Sequence, residues 1–143
     1  MVAVASQEKN DNFATARSLA AVEQTYNRLT INAANDDDYY TMVPTNSGTL
    51  VVSTAFTHSQ GNVDLQVLNS SQTQLGLSNS TTNSEQLSVA VIAGQTYYVL
   101  VFGASGATSP NYSLTVDVPA PAAPGDALEN NDTFATARVL TPA

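Results

Sequence analysis

The chain has 143 residues, 43% of them hydrophobic and only 11% charged, enough to enclose one core and leave little for a second. Twelve acidic residues against four basic ones (Lys9, Arg17, Arg28 and Arg138) give a formal charge of −8, a field that repels nucleic acid and anionic lipid and attracts cations. Cysteine is absent, so there is no disulfide framework and no thiolate metal site, and no apolar run reaches the roughly 18 residues that a spanning helix needs.

The first stretch, "MVAVAS", is too short and too uncharged for a whole signal peptide, so an export signal is expected to lie outside this segment or to have been removed. Next comes "NFATARSLAAVEQ" (Asn12–Gln24), in which Asp11 or Asn12 is placed to cap a short helix; its Thr and Ser serve an extended linker equally well. Residues 1–24 are read as a linker. From there the hydrophobic period is two, the mark of half-buried strands. "YNRLTI" (Tyr26–Ile31), "YYTMV" (Tyr39–Val43), "TLVVSTAF" (Thr49–Phe56), "VDLQVL" (Val63–Leu68), "QLGLS" (Gln74–Ser78), "EQLSVAVI" (Glu85–Ile92), "TYYVLVFG" (Thr96–Gly103) and "NYSLTVDV" (Asn111–Val118) all fit. Turn-formers such as "PTNSG", "SQGN" and "GASGATSP" separate them. About eight short strands at this spacing predict an all-β antiparallel sandwich over residues 25–118. Residues 119–128, rich in Pro and Ala, read as a semi-rigid spacer.

Residues 129–143 then repeat the beginning. "NDNFATARSL" (Asn10–Leu19) returns as "NDTFATARVL" (Asn131–Leu140), and nine of the twelve positions in Glu8–Leu19 and Glu129–Leu140 are identical. The offset of 121 residues is a domain-scale repeat, too long for a solenoid unit.

Oxygen-bearing side chains cluster at Glu8–Asn10–Asp11, at "NDDDYY" (Asn35–Tyr40), and at Asp126–Glu129–Asn131–Asp132. Ca²⁺ takes about six to eight oxygens, and two such clusters joined by folding suffice to supply them. No EF-hand spacing occurs, and three consecutive aspartates also suit a solvated turn before a strand. For catalysis the chain offers one histidine, His58, with no nucleophile elbow, so it is expected to be an ordinary loop residue. Asp64, Glu85 and Asp117 stand apart on polar faces and are expected at the surface. Most aromatic residues of "TYYVLVF" are expected in the core. Tyr39, Tyr98 or Tyr112, if exposed, would form a flat platform for a polymer.

The order "E-x-N-D-x-F-A-T-A-x-x-L", "D-D-Y-Y", "DLQVL", "AGQTYYVLVFG" and "YSLTV", over about Glu8 to Val118, resembles the bacterial pre-peptidase C-terminal domain, a family that includes the collagen-binding domains of clostridial collagenases. The resemblance implies a jelly-roll-like sandwich, appended to secreted proteases or arrayed in large surface proteins. It also implies calcium, held by a linker Glu, Asn and Asp together with an Asp-rich turn. Glu8, Asn10 and Asp11 match the linker, and Asp38 matches the aspartate before the aromatic pair. The family's upstream aspartate falls here on Asn35, with Asp36 or Asp37 as substitute, and which of Asp36, Asp37 and Asp38 face the ion stays open.

The expectation is therefore a non-catalytic, calcium-binding repeat module of a secreted or cell-surface bacterial protein, structural or adhesive in role. A substrate-targeting domain of a secreted protease, binding collagen or a similar polymer, is the alternative. Glu129, Asn131 and Asp132 form a second metal motif. It belongs to the opening of a next tandem unit, to a calcium-locked joint between units, or to a head-to-tail contact that propagates as a filament.

Overall fold

The computed structural model describes residues 10–34 and 36–121. It contains nine strands: β1 (Arg17–Ser18), β2 (Gln24–Ile31), β3 (Asp38–Met42), β4 (Gly48–Phe56), β5 (Val63–Asn69), β6 (Gln74–Ser78), β7 (Ser84–Val91), β8 (Tyr97–Gly103) and β9 (Ser109–Asp117). Eight of them lie within two residues of the runs read from period-two alternation. The helix considered over Asn12–Gln24 does not form. Asn12 does act as a cap, its side-chain oxygen accepting from Thr15 N–H at 3.0 Å, but the turn it caps is a single 3-10 turn over Phe13–Thr15. The chain then extends into β1, because β3 offers a free edge there and a ladder satisfies more backbone groups than one further turn.

One sheet has the order β1-β3-β8-β5-β6 and the other β2-β9-β4-β7. Apart from the β5–β6 hairpin, successive strands from β2 to β9 change sheet at each step, which is jelly-roll connectivity. All pairs are antiparallel except β1 with β3. The core lies between the sheets and takes inward-facing residues of every strand except β1 and β6, for example Leu50 and Val52 of β4, Val63 and Leu65 of β5, and Leu114 and Val116 of β9. Each such side chain contributes about 1.5–3 kcal/mol on full burial. Gly76 lets the two sheets close at one edge: a Cβ there would lie 3.3 Å from Val89 and 3.4 Å from Leu87 of β7.

The alternation of β3 runs on into its first residue. Asp38, Tyr40 and Met42 point inward, Tyr39 and Thr41 outward. Asp38 is fully buried and accepts a hydrogen bond from the Tyr112 hydroxyl of β9, whose oxygen lies 2.8 Å from that of Tyr40. Since the Tyr112 proton is directed to Asp38, Tyr40 is the donor to Tyr112. Burial first, then the neighbouring Tyr40 and Asp38, hold the Tyr112 hydroxyl well above its usual range. This triad links the two sheets across the core.

Candidate functional site

The leader, residues 10–19, lies along the free edge of β3 and carries Asn10 and Asp11 of the first acidic motif to the end of the sandwich where β3 begins. Asn10 is buried and bridges both backbone groups of Tyr39: Tyr39 N–H donates to the Asn10 carbonyl at 2.7 Å, and Asn10 Nδ2 donates to the Tyr39 carbonyl at 3.1 Å. Phe13 then sets its ring edge-on against Tyr39 at 4.7 Å and Tyr98 at 4.9 Å. The Arg17 guanidinium sits 4.9 Å above the Tyr26 ring, and β1 pairs Arg17 with Tyr40 and Ser18 with Thr41. Leu19 closes the segment, buried, with its N–H on the Thr41 carbonyl at 2.8 Å.

At this end the Asp37 carboxyl is pushed above the usual carboxylate range, by burial first and then by the charges of Asp36 and Asp11. Asp36 is partly committed, since its Oδ2 accepts from Asn32 N–H at 2.6 Å and closes the turn before β3. The Oδ1 of Asn10 is buried and has no hydrogen-bond partner among the described residues. A crowded carboxylate and an orphaned amide oxygen both suit a hard cation, whose arrival would relieve the two costs together. Among the described residues, however, no three carboxylate or imidazole side chains form a ready-made cage.

Asp38, one of the three aspartates left open as facing the ion, is fully buried with one carboxylate oxygen accepting from Tyr112, and Asp37 is the aspartate on which the charge of Asp11 acts. Tyr112 is buried too, so it does not belong to a surface platform; Tyr39 and Tyr98 are half-buried beneath Phe13. Glu8, Asn35 and the second motif with Glu129, Asn131 and Asp132 lie outside the described residues.

A second polar cluster went unread in the sequence. Asp64 and Glu85, expected at the surface, are both buried, while Asp117 is exposed as expected. Burial, then the Glu85 charge, raise Asp64, and His58 pulls it back. His58 Nδ1 lies 3.1 Å from Asn62 Oδ1, and Glu85 accepts from the Ser78 hydroxyl, from Ser80 N–H at 3.0 Å and from the Ser80 hydroxyl at 2.8 Å. Glu85 thus ties the β6–β7 turn to β7. Glu85→Ala is expected to cost about 2–3 kcal/mol in urea unfolding, because charge-assisted bonds are lost and only the exposed Ser80 can turn to water instead. Glu85→Gln, which retains an acceptor oxygen, is expected to cost less.

The comparisons agree with this architecture. Residues 36–103 match the sequence model of the bacterial pre-peptidase C-terminal domain. The solved pre-peptidase C-terminal domain of a Bacillus anthracis collagenase superposes with a TM-score of 0.60 at 16% identity, covering 71% of this chain and 94% of that one. A periplasmic inhibitor of g-type lysozyme from Aeromonas hydrophila gives 0.55 at 18% identity, covering 72% and 96%. The Yersinia pseudotuberculosis-derived mitogen gives 0.52 at 18%, covering 73% and 92%. At such identities the likeness is one of fold. A comparison with curated proteins finds no match. Among the described residues no helix is long and apolar enough to cross a membrane. Pre-peptidase C-terminal domains are accessory, non-catalytic modules, and residues 36–103 of this chain, which run from the turn before β3 to the end of β8, are similar to that family in sequence and fold.

Proposed function

We propose that the chain is a calcium-stabilised repeat unit of a secreted or cell-surface bacterial protein, structural or adhesive in role, in which the ion fastens the leader to the sandwich. The observations that support the metal are at the junction of leader and β3: the charges of Asp36 and Asp11 act on Asp37, and the Oδ1 of Asn10, whose backbone and amide pair with Tyr39, is buried without a hydrogen-bond partner among the described residues. Asp11, Asp37 and Asn10 would hold Ca²⁺ there, with Glu8 as a further carboxylate from the same motif. The ion supplies charge neutralisation and a link between leader and turn, not chemistry. The duplicated motif supports the array: one unit would follow another through a Pro/Ala spacer, each opening with its own acidic leader.

Calorimetric titration of metal-stripped protein with Ca²⁺, joined to melting curves in chelator, tests the metal. At a hundredfold excess over Kd the native state gains about 2.7 kcal/mol, which for a domain of this size raises Tm by about 10 °C or more. Absence of both heat and shift would sink the calcium reading. Asp37→Asn should raise Tm in chelator and shrink the calcium-induced rise. The pH dependence follows from the raised Asp37 value. The favourable contribution of its neutral form is complete below the ordinary 3.8 and is lost as pH rises through the folded-state value. The calcium-induced rise is therefore expected to be largest near neutrality and to fade on acidification.

A second reading, a polymer-targeting accessory domain, is favoured by the outer face of the five-stranded sheet. There Tyr39, Leu100, Gln66 and Leu77 stand in one row across four strands, and Leu75 and Leu77 are exposed at the edge. Co-sedimentation with insoluble collagen and with polysaccharides, lost on Tyr98→Ala, would select it.

A further inference from the structure

We propose that the groove holding residues 10–19 is a binding site for the decapeptide itself, and that residues 131–140 of one copy of the chain enter that groove on a second copy in place of the resident leader. The proposal rests on the repeat reading above but requires no calcium.

The seated leader shows which of its residues carry the contact. Asn10 bridges Tyr39, Phe13 packs on Tyr39 and Tyr98, Arg17 covers Tyr26, and Leu19 is buried. Asn131, Phe134, Arg138 and Leu140 stand at the corresponding places of the second copy. Within the decapeptide only two positions differ. Asn12 becomes Thr133, and threonine caps a turn through its hydroxyl as asparagine does through its amide oxygen. Ser18 becomes Val139 at an exposed position of the two-residue strand, where a β-branched side chain is favoured. The differences fall where the groove does not read the side chain. In an array the recipient is the next sandwich along, and any sandwich with an open groove is equivalent, because the groove meets the decapeptide and not its linkage.

The resident leader is tethered to β2 through residues 20–23 and competes at an effective concentration of about 1 mM. Exchange is therefore expected near that protein concentration, and well below it once the leader is weakened. Fourteen residues from Asp117 to Asn131 extend to about 46 Å, against about 30 Å for a nine-residue strand. A chain can thus also reach its own groove, and the experiment must tell the two routes apart.

Cysteine-free protein makes that direct. Ser18 is the partner of Thr41 across β1 and β3, and Val139 is the counterpart of Ser18. Full-length Thr41→Cys/Val139→Cys protein, oxidised at about 1 mM with calcium or with chelator, is expected to give a ladder of covalent dimers and larger species on a non-reducing gel. Adding Phe13→Ala should move the onset to concentrations at least about tenfold lower, and adding Phe134→Ala should abolish the ladder. Ser18→Cys/Thr41→Cys closes within one chain and calibrates how readily the geometry oxidises. If Thr41→Cys/Val139→Cys stays open where that control closes, or closes only within a single chain, the proposal is overturned. The ladder of the double-cysteine chain with its leader intact decides the matter even if Phe13→Ala does not fold. A ladder without a calcium response removes the metal alone, and a calcium response without a ladder removes the exchange alone.

Discussion

Tyr112→Ala is expected to lower the unfolding free energy by about 4 kcal/mol or more, a large share of the stability of a domain that begins with about 5–15 kcal/mol. Two losses combine. The ring fills the space between the sheets with 1% exposure, and removing a buried aromatic costs about 3–5 kcal/mol. Its hydroxyl donates to Asp38 and accepts from Tyr40, and a hydrogen bond to a charged group contributes about 1.5–3 kcal/mol, though the two terms overlap. Tyr112→Phe separates them, keeping the ring and losing only the second term. Urea unfolding of the three proteins gives the numbers. A pH series gives an independent check. The folded-state value of Tyr112 lies well above 10.0, so its contribution is complete below pH 10 and is lost as pH rises through that folded value. Stability should therefore decline above pH 10, and the decline should be shallower in Tyr112→Phe. Equal alkaline slopes in both proteins would mean that the triad does not act as described.

Tyr112 also shows how much of the fold and site was legible. Strict alternation in "NYSLTVDV" places Tyr112 on the face of Leu114 and Val116, the core side, so the sequence already argued against its exposure. The same rule applied to "DDDYYTM" puts Asp38 with Tyr40 and Met42 and sets Asp37 outside with Tyr39. In both stretches alternation decides a facing that residue type alone leaves open. The eight main strands were legible from their alternating apolar residues, most of them burying one face, with β5 buried on both and β6 contributing no buried residue. β1 was not, since two residues carry no period and owe their strand to the edge of β3. Glu85 is a third case of parity, since alternation sets it on the face of Val89 and Val91, whereas Asp64 was unreadable because β5 is buried on both sides there, between Val63 and Leu65.

Gly61→Ala is the second change expected to act strongly, at about 3 kcal/mol or more, and it bears on the leader junction as well as on stability. Gly61 ends the 3-10 turn over His58–Gln60 with φ of 147°, a conformation that costs an L side chain about 1–3 kcal/mol. A Cβ there would fall 1.7 Å from the Thr108 carbonyl oxygen, which is backbone and cannot rotate aside. Either the 58–62 turn or the 104–108 turn must therefore move, and overpacking of this kind costs about 1–3 kcal/mol in addition. The two turns are also joined by Ala104 N–H on the Asn62 carbonyl at 2.9 Å. The 104–108 turn borders the acidic loop in its turn, since a Cβ on Gly106 would lie 3.5 Å from Ala34. Displacement at Gly61 is thus passed toward Asp36 and Asp37, at the end of the sandwich where Asn10 is pinned. Gly61→Ala should lower Tm in chelator and also weaken the calcium-induced rise, whereas Glu85→Ala, acting at the β6–β7 turn, should lower Tm and leave that rise intact. Melting curves of both variants with and without Ca²⁺ separate a change that reaches the leader junction from one that merely loosens the sandwich.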